Sequence, residues 1–302
     1  LAGVFYEAGR QQEWWRGMKE YRLERETAAE KWKVVSEIHA EDFMYQYLLE
    51  HPGFETKQAA IQRYFDDGAN SAKLLRELLS GVCKFDVNTP FDLFEFASGY
   101  GCVSRHLKAA MPASNVLACD IHQQAVDFIQ NVLDVDALLS DSCPEGMNTG
   151  GRLFKTVFAL SFFSHMPKHT FSRWMKRLFD VLEPEGFLIF TTHGLESRRR
   201  FFGDCRYDAG GYHFRPLTEQ KDLSLEEYGA TTVHPAYVLK EAFKIPGLTL
   251  KFFQEGFWWE HQDVFVFQKQ AGYGLDECRE VDGSLRARLK KFLCHPALPF
   301  TC

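Results

Sequence analysis

From Phe91 to the 260s, short apolar runs alternate with stretches of helical spacing, and this alternation narrows the possible fold more than any other feature. The runs fall at 91–96, 115–119, 136–140, 154–160 and 186–192, with helices between them and a further helix at about 235–244. Strands joined by helices run parallel and need cover on both faces. Two last runs, 248–256 and 263–268, are separated by a turn too short for a crossover, so they pair antiparallel. The expected fold is α/β: a Rossmann-like, seven-stranded, mostly parallel sheet with an antiparallel last strand.

Three other regions flank or interrupt that sheet. Residues 1–80 read as a helical cap: mixed apolar and charged residues at helical spacing run through "RLERETAAEKWKVVSEIHAEDFMYQYLLE", "HPGF" at 51–54 breaks them, and a second helix follows from about Thr56 to Leu79. The sheet domain is expected over 81–270, with the long irregular stretch 194–232 as a lid insertion. In the tail, 271–302, Leu285, Leu289 and Phe292 share one helical face, which suits docking on the domain or a second subunit. Trp14 and Trp15 near the start suit core packing or a partner surface better than base stacking, because the surrounding charges are mixed in sign.

The totals exclude several classes. With 302 residues, 45% of them hydrophobic, the chain can bury one large α/β domain and an extension. No apolar run is long enough to span a membrane, and no secretory apolar segment opens the chain, so a cytoplasmic setting is expected. The first residue is Leu1, which leads us to expect a native start upstream. The eight cysteines lack C-x-x-C spacing and read as free thiols in a reducing compartment rather than a zinc site. A net charge of −6 argues against a nonspecific grip on nucleic acid. Nothing in the sequence settles the oligomeric state.

Within the first strand–helix unit lies "FEFASGYG", with Glu95 at the strand's end and Gly99 and Gly101 in the turn. Paired glycines suit a backbone that turns sharply or that a ligand approaches closely. In an open parallel sheet this turn lies at the carboxyl edge, where ligands bind. The next strand ends at Asp120, 19 residues after Gly101, in position to accept hydrogen bonds from ribose hydroxyls. The third ends in "LLSDS", bringing Asp141 and Ser142 to the same edge, where an acid and a backbone amide can read an adenine. No Gly-Lys-Ser/Thr follows the turn, so a Walker-type phosphate loop is excluded.

"EFASGYG", "ACDIH" and "SDS" together resemble the class I S-adenosylmethionine-dependent methyltransferases, and "LEPEGFLIFTTHG" is similar to that family's fifth-strand segment. The resemblance covers roughly residues 60 to 270, with Ala97 standing where the family often has a glycine. It implies S-adenosylmethionine as cofactor, held by Glu95, Ala97, Gly99, Tyr100, Gly101, Asp120, Ile121, Asp141, Ser142 and Leu160. A helix before the sheet often crosses the cofactor in this family, which brings in Tyr64 or Arg63 for its carboxylate. A dinucleotide-binding oxidoreductase shares the glycine turn and the acid. It normally has a third small residue where Ser104 stands here, and Glu95 would set negative charge beside a diphosphate. A methyltransferase-like binding protein without turnover is the third reading.

The segments following strands four, five and six each carry a histidine at the cofactor edge: His165 in "LSFFSHMP", His193 in "TTHGLES" and His261 in "GFWWEHQDV". Imidazole accepts protons near neutral pH, so His165, then His261, then His193 are candidate bases for methyl transfer. Each also suits a structural hydrogen bond, and no thiol or carboxylate cluster joins them as a metal set. Trp258 and Trp259 alternate faces on a strand, so at most one of them meets the ligand. "SRRRFF" at 197–202 reads either as an anion site or as a solvated segment. The "SHMPKHTF…TTHG" segment looks like small-molecule or glycan-type enzymes. It lacks the Asp/Asn-Pro-Pro-Tyr/Phe motif of base-methylating DNA enzymes, so a small-molecule acceptor is expected, without nucleic acid or membrane.

Overall fold

The computed structural model describes residues 21–218, 220 and 223–272. Its main sheet is built from β1 (Phe91–Phe96), β2 (Ser114–Asp120), β3 (Asp136–Leu139), β4 (Phe154–Ala159), β5 (Leu182–His193), β8 (Leu248–Trp258) and β9 (Gln262–Lys269). Their order is β3-β2-β1-β4-β5-β9-β8, with β9 antiparallel to both neighbours and the first five strands parallel. Strand order reverses between β1 and β4, which opens a crevice at their carboxyl ends.

Both faces are covered, as the apolar strands demand. On one, Phe94 stacks on Phe154 at 4.7 Å and Phe190 stacks on Phe265 at 5.5 Å. Helix α6 (Lys168–Asp180) lays Phe171, Trp174, Met175 and Leu178 over them, and α8 (Pro235–Ala242) adds Val238 and Ala242. On the other, Leu93, Phe158 and Ile189 meet α4 (Ser104–Ala110) and the end of α3 (Lys57–Glu77), where Ala72 and Leu75 are buried. Helix α5 (Gln123–Asn131) flanks β2 and β3.

The cap differs in one respect from the helix expected before "HPGF". It splits into α1 (Arg22–Glu30) and α2 (Phe43–Glu50), joined by a non-helical strap over 31–42. Local spacing allowed a helix there, but a tertiary contact competes with it. Arg105 Nη1 donates to the carbonyls of Val35 and Glu37, each at 2.8 Å, and His39 stacks on Tyr100 with ring centroids 4.6 Å apart. The strap is thereby drawn onto the glycine turn. Asp42 then caps α2, accepting from Tyr45 N at 3.0 Å, and Thr56 caps α3, accepting from Ala59 N at 3.1 Å.

The stretch 194–232 is more ordered than its composition suggests. It contains α7 (Leu195–Phe201) and an antiparallel ribbon of β6 (Tyr212–Arg215) with β7 (Ala230–Val233). Strands of four residues are too short to show a period in sequence, which is why the segment reads as irregular. The aromatic start and the amphipathic tail, with Leu285, Leu289 and Phe292, lie outside the described residues.

Candidate active site

A cavity of about 830 Å³ opens at the carboxyl edge of the sheet. Its floor is the glycine turn and the ends of β2, β3 and β4. Its walls come from the cap (Phe43, Tyr47, Arg63) and the insert (Phe202, Leu217, Tyr228).

The two glycines of the turn answer to different constraints. Both have left-handed φ, +56° at Gly99 and +78° at Gly101, which glycine adopts without steric cost. A Cβ on Gly99 would meet nothing within 4 Å, and the residue lines the cavity, so its bare backbone is open to a ligand. A Cβ on Gly101 would lie 2.4 Å from Leu133 Cδ1, and Gly101 is absent from the lining. That glycine lets Leu133, just beyond α5, pack against the turn. Ala97, where the family often has glycine, holds φ +57° despite its side chain and lines the cavity, as does Tyr100.

Glu95 stands behind the turn rather than in the cavity. It is buried, and accepts a 2.6 Å hydrogen bond from the Ser104 hydroxyl. Burial pushes its pKa up to about 8, opposed by the Ser104 bond and reinforced by the charge of Asp120. Ser104, in place of a third glycine, is thus the partner of the motif's acid.

Asp120 lines the cavity with its carboxylate already engaged. Oδ2 accepts from Gly99 N at 2.8 Å; Oδ1 accepts from His122 N at 3.1 Å and faces His122 Nδ1 at 2.9 Å. A carboxylate offers about four lone-pair sites, so room for one further donor remains. Ile121, Asp141, Ser142 and Leu160 also line the cavity, and Asp141 Oδ1 accepts from Cys143 N at 2.8 Å. Tyr64 is a correction: it is fully buried in the cap among Ile61 and Phe65, and its hydroxyl donates to Asp42 Oδ2 at 2.6 Å. Its helical face, set by the apolar stripe of α3, points inward. Its neighbour Arg63 lines the cavity instead, paired with Asp67 at 2.7 Å.

The three histidines come together at the opposite end. Ring centroids are 6.3 Å apart for His165 and His193, and 5.8 Å for His193 and His261. The hydrogen-bond network assigns their tautomers. His165 Nδ1 lies 2.9 Å from the carbonyl oxygen of Gly229, which can only accept, so Nδ1 carries a proton and in the neutral ring the lone pair is on Nε2. Tyr228 stacks on this ring at 4.5 Å, 5° from parallel. For His261, the Ser197 hydroxyl spends its one proton on the His261 carbonyl at 2.6 Å, so Nδ1 donates to Ser197 Oγ at 3.0 Å and the lone pair is again on Nε2.

His193 is different. Nδ1 donates to Thr231 O at 3.2 Å, while Nε2 accepts from the Gln262 amide at 3.3 Å. The amide's orientation follows from Thr191. Its Oγ1 accepts from Ser161 N at 2.8 Å and donates to Gln262 Oε1 at 2.6 Å, leaving the NH2 for His193 and for Ser161 Oγ at 2.9 Å. Burial, with like charge from His165 and His261, drives His193 down to about 3, so it is neutral. Burial also lowers His261, with Arg200 adding to the effect and Glu196 opposing it. Among the described residues no group of three or more His, Cys, Asp or Glu is arranged to hold a metal ion.

Residues 94–186 match the family model described as a methyltransferase domain. Over that stretch the chain carries a methyltransferase domain, and its strand order is that of the class I fold. No curated protein matches it in sequence. Among solved structures, an S-adenosylmethionine-dependent methyltransferase from Clostridium acetobutylicum is 14% identical, with a TM-score of 0.47 over 68% of this chain and 92% of that one. A magnesium protoporphyrin IX methyltransferase from Synechocystis with bound S-adenosylhomocysteine is 14% identical, at 0.49 over 75% and 93%. A DhpI–SAM–HEP complex is 20% identical, at 0.47 over 83% and 97%.

Several parts of the candidate site carry no sequence signal of their own. Gln262, Thr191 and Ser161 form one hydrogen-bonded chain from three strand ends, and Tyr228 meets His165 only through the folded insert. Trp258 turns inward, its Nε1 donating to Ser71 at 3.0 Å, while Trp259 lines the cavity. The arginines of "SRRRFF" are spent within the insert: Arg199 and Arg200 pair with Glu196, and Arg198 donates to Cys205 O at 3.0 Å. The phenylalanines of that run, Phe201 and Phe202, face the cavity. Among the described residues, no helix is long and apolar enough to cross a membrane.

Proposed function

We propose that the domain methylates a small-molecule acceptor held between the glycine turn and the insert, with His165 receiving the acceptor's proton. The observation that carries this reading is a single cavity lined by Gly99 and Asp120 at one end and by the three imidazoles at the other. Its 830 Å³ falls within the roughly 300–1,000 Å³ of small-molecule sites. When bound, S-adenosylmethionine supplies an electrophilic methyl carbon for in-line displacement.

The chain's own residues bind, orient and take a proton. Gly99 presents bare backbone, the remaining lone pair of Asp120 accepts from a ribose hydroxyl, and Asp141 and Ser142 edge the adenine. Arg63 offers a cation to the donor's carboxylate. His165 suits the base because its Nδ1 proton is pinned by Gly229 and its ring is held by Tyr228, which directs basicity to Nε2. His261 has the same tautomer and stands second. His193 has both nitrogens committed, so it serves to hold Gln262 and the β7 backbone in place rather than to move a proton.

Calorimetric titration of S-adenosylhomocysteine into the purified protein, with NAD and NADP in parallel, tests the donor site. Micromolar binding of S-adenosylhomocysteine alone is expected, followed by turnover in an acceptor screen with labelled S-adenosylmethionine. Binding of a nicotinamide cofactor in its place would overturn the reading.

A further inference from the structure

The lining of the cavity holds two arginines among the described residues, and they differ in kind. Arg63 gives its Nε to an ion pair with Asp67 at 2.7 Å, and its terminal nitrogens are those offered to the donor's carboxylate. Arg215, at the end of β6, has no ion-pair partner among the described residues. Its Nη2 donates to the Phe202 carbonyl at 3.1 Å, and its Cζ lies 5.5 Å from the centroid of the Phe202 ring. A guanidinium has five donors in a planar fork, and the Phe202 carbonyl takes one of them. Glu227 also lines the cavity but is exposed and makes no ion pair with Arg215.

The location of Arg215 ties it to the proposed base. Arg215 pairs with Ala230 across the ribbon, and the residue before Ala230 is Gly229, whose carbonyl holds His165 Nδ1. Gly229 N also donates to the His165 carbonyl at 3.0 Å. One two-stranded ribbon therefore carries a cation and pins an imidazole, at a separation fixed by backbone pairing. The insert lines the cavity around it with the apolar or aromatic Phe202, Leu217, Leu223 and Tyr228, alongside the polar Gln220, Ser224 and Glu227.

Resting on the methyltransferase reading, we propose that Arg215 is the specificity residue for a carboxylate on the acceptor, and that the acceptor is an amphipathic acid with an apolar or aromatic body. A guanidinium fork matches a carboxylate through two parallel hydrogen bonds, and its planar face packs on an aromatic ring, as Arg215 does on Phe202. The carboxylate anchors one end of the acceptor on β6, the apolar body lies along the insert's aromatic wall, and the group to be methylated is presented towards His165.

The test uses the whole chain saturated with S-adenosylhomocysteine and two matched probes, 3-phenylpropanoate and its neutral amide, titrated by calorimetry. The acid is expected to bind at least tenfold tighter than the amide. Arg215→Gln should weaken the acid about tenfold to a hundredfold, the loss of one charge-assisted pair, and leave the amide unchanged. Arg215→Lys should recover part of that loss, since it restores charge without the fork. Unchanged affinity of both variants for S-adenosylhomocysteine shows that they are folded with the donor site intact. Equal binding of acid and amide, undiminished acid binding by Arg215→Gln, or binding of neither probe would overturn the assignment of Arg215. Failure of the wild-type protein to bind S-adenosylhomocysteine strikes the donor site instead, and the same probe titrations without it then read Arg215 separately.

Discussion

Substituting alanine at each glycine of the turn separates the two demands that the turn meets. At Gly99 the new methyl enters open space, so its cost to the fold is that of holding alanine at a left-handed φ, about 1 kcal/mol. Ala97, two residues earlier, already pays such a cost at φ +57°. At Gly101 the same backbone cost is joined by a clash. The methyl would lie 2.4 Å from Leu133 Cδ1 and 3.3 Å from Ile129 Cγ1, and both side chains are buried. Overpacking of this kind adds about 1–3 kcal/mol, so Gly101→Ala should lose about 2–4 kcal/mol in all. Urea unfolding followed by tryptophan fluorescence measures this, as a lower midpoint at unchanged slope. The order of effects should reverse for ligand binding. Gly99→Ala places its methyl on the cavity floor and should weaken S-adenosylhomocysteine about tenfold or more, while the folded fraction of Gly101→Ala binds nearly as wild type does. If Gly99→Ala proved as unstable as Gly101→Ala, or bound S-adenosylhomocysteine like wild type, the division of labour between the glycines would be wrong.

Other perturbations test the layers around the turn. Glu95, pushed up to about 8 from 4.5, keeps a proton in the folded chain that the unfolded chain releases, so stability from this source is full below pH 4.5 and is lost as pH rises through 8. Glu95→Gln should flatten that decline in urea titrations of the ligand-free protein at pH 5 and pH 8.5; an unaltered slope would contradict the assignment. Asp120→Ala removes the acceptor for Gly99 N and the one proposed for the ribose, and should weaken S-adenosylhomocysteine about tenfold to a hundredfold; a change under twofold would move the ribose elsewhere. With an acceptor from the labelled-methyl screen, His165→Ala should lower kcat about 10²–10⁴-fold and leave S-adenosylhomocysteine affinity intact. Undiminished turnover would pass the role of base to His261. Phe190→Ala, in the fully buried stack with Phe265 and Phe267, should cost about 3–5 kcal/mol in urea unfolding.

The strands and their sequence order were legible because each carries its own record: an apolar run of strand length, flanked by turns and helices. The glycine turn, Asp120 and the Asp141–Ser142 pair were legible for a related reason, since a parallel sheet brings successive strand ends to one edge. The same topology foretold that His165, His193 and His261 approach one another. It could not tell them apart. Their tautomers depend on Gly229, Thr231, Ser197 and Gln262, residues that lie 38 to 69 positions from the imidazoles they bond.

Where prediction and structure part, the deciding contact is distant in sequence. Tyr64 sits one residue from Arg63, and which of the two meets the cavity depends on how α3 is rotated against the cap's buried cluster. The strap at 31–42 has helical spacing but is held out of a helix by Arg105, 68 to 70 residues away. The ribbon β6–β7 has strands too short for a local period, and through it Arg215 and Tyr228 enter the cavity. Sequence by itself determined which segments form the main sheet and which of its strand ends bear polar groups, because both follow from burial periodicity and connection length. Tertiary structure alone decided which side chains face the ligand and which nitrogen of each imidazole holds the proton, because those depend on packing and hydrogen bonds between segments that meet only in the folded chain.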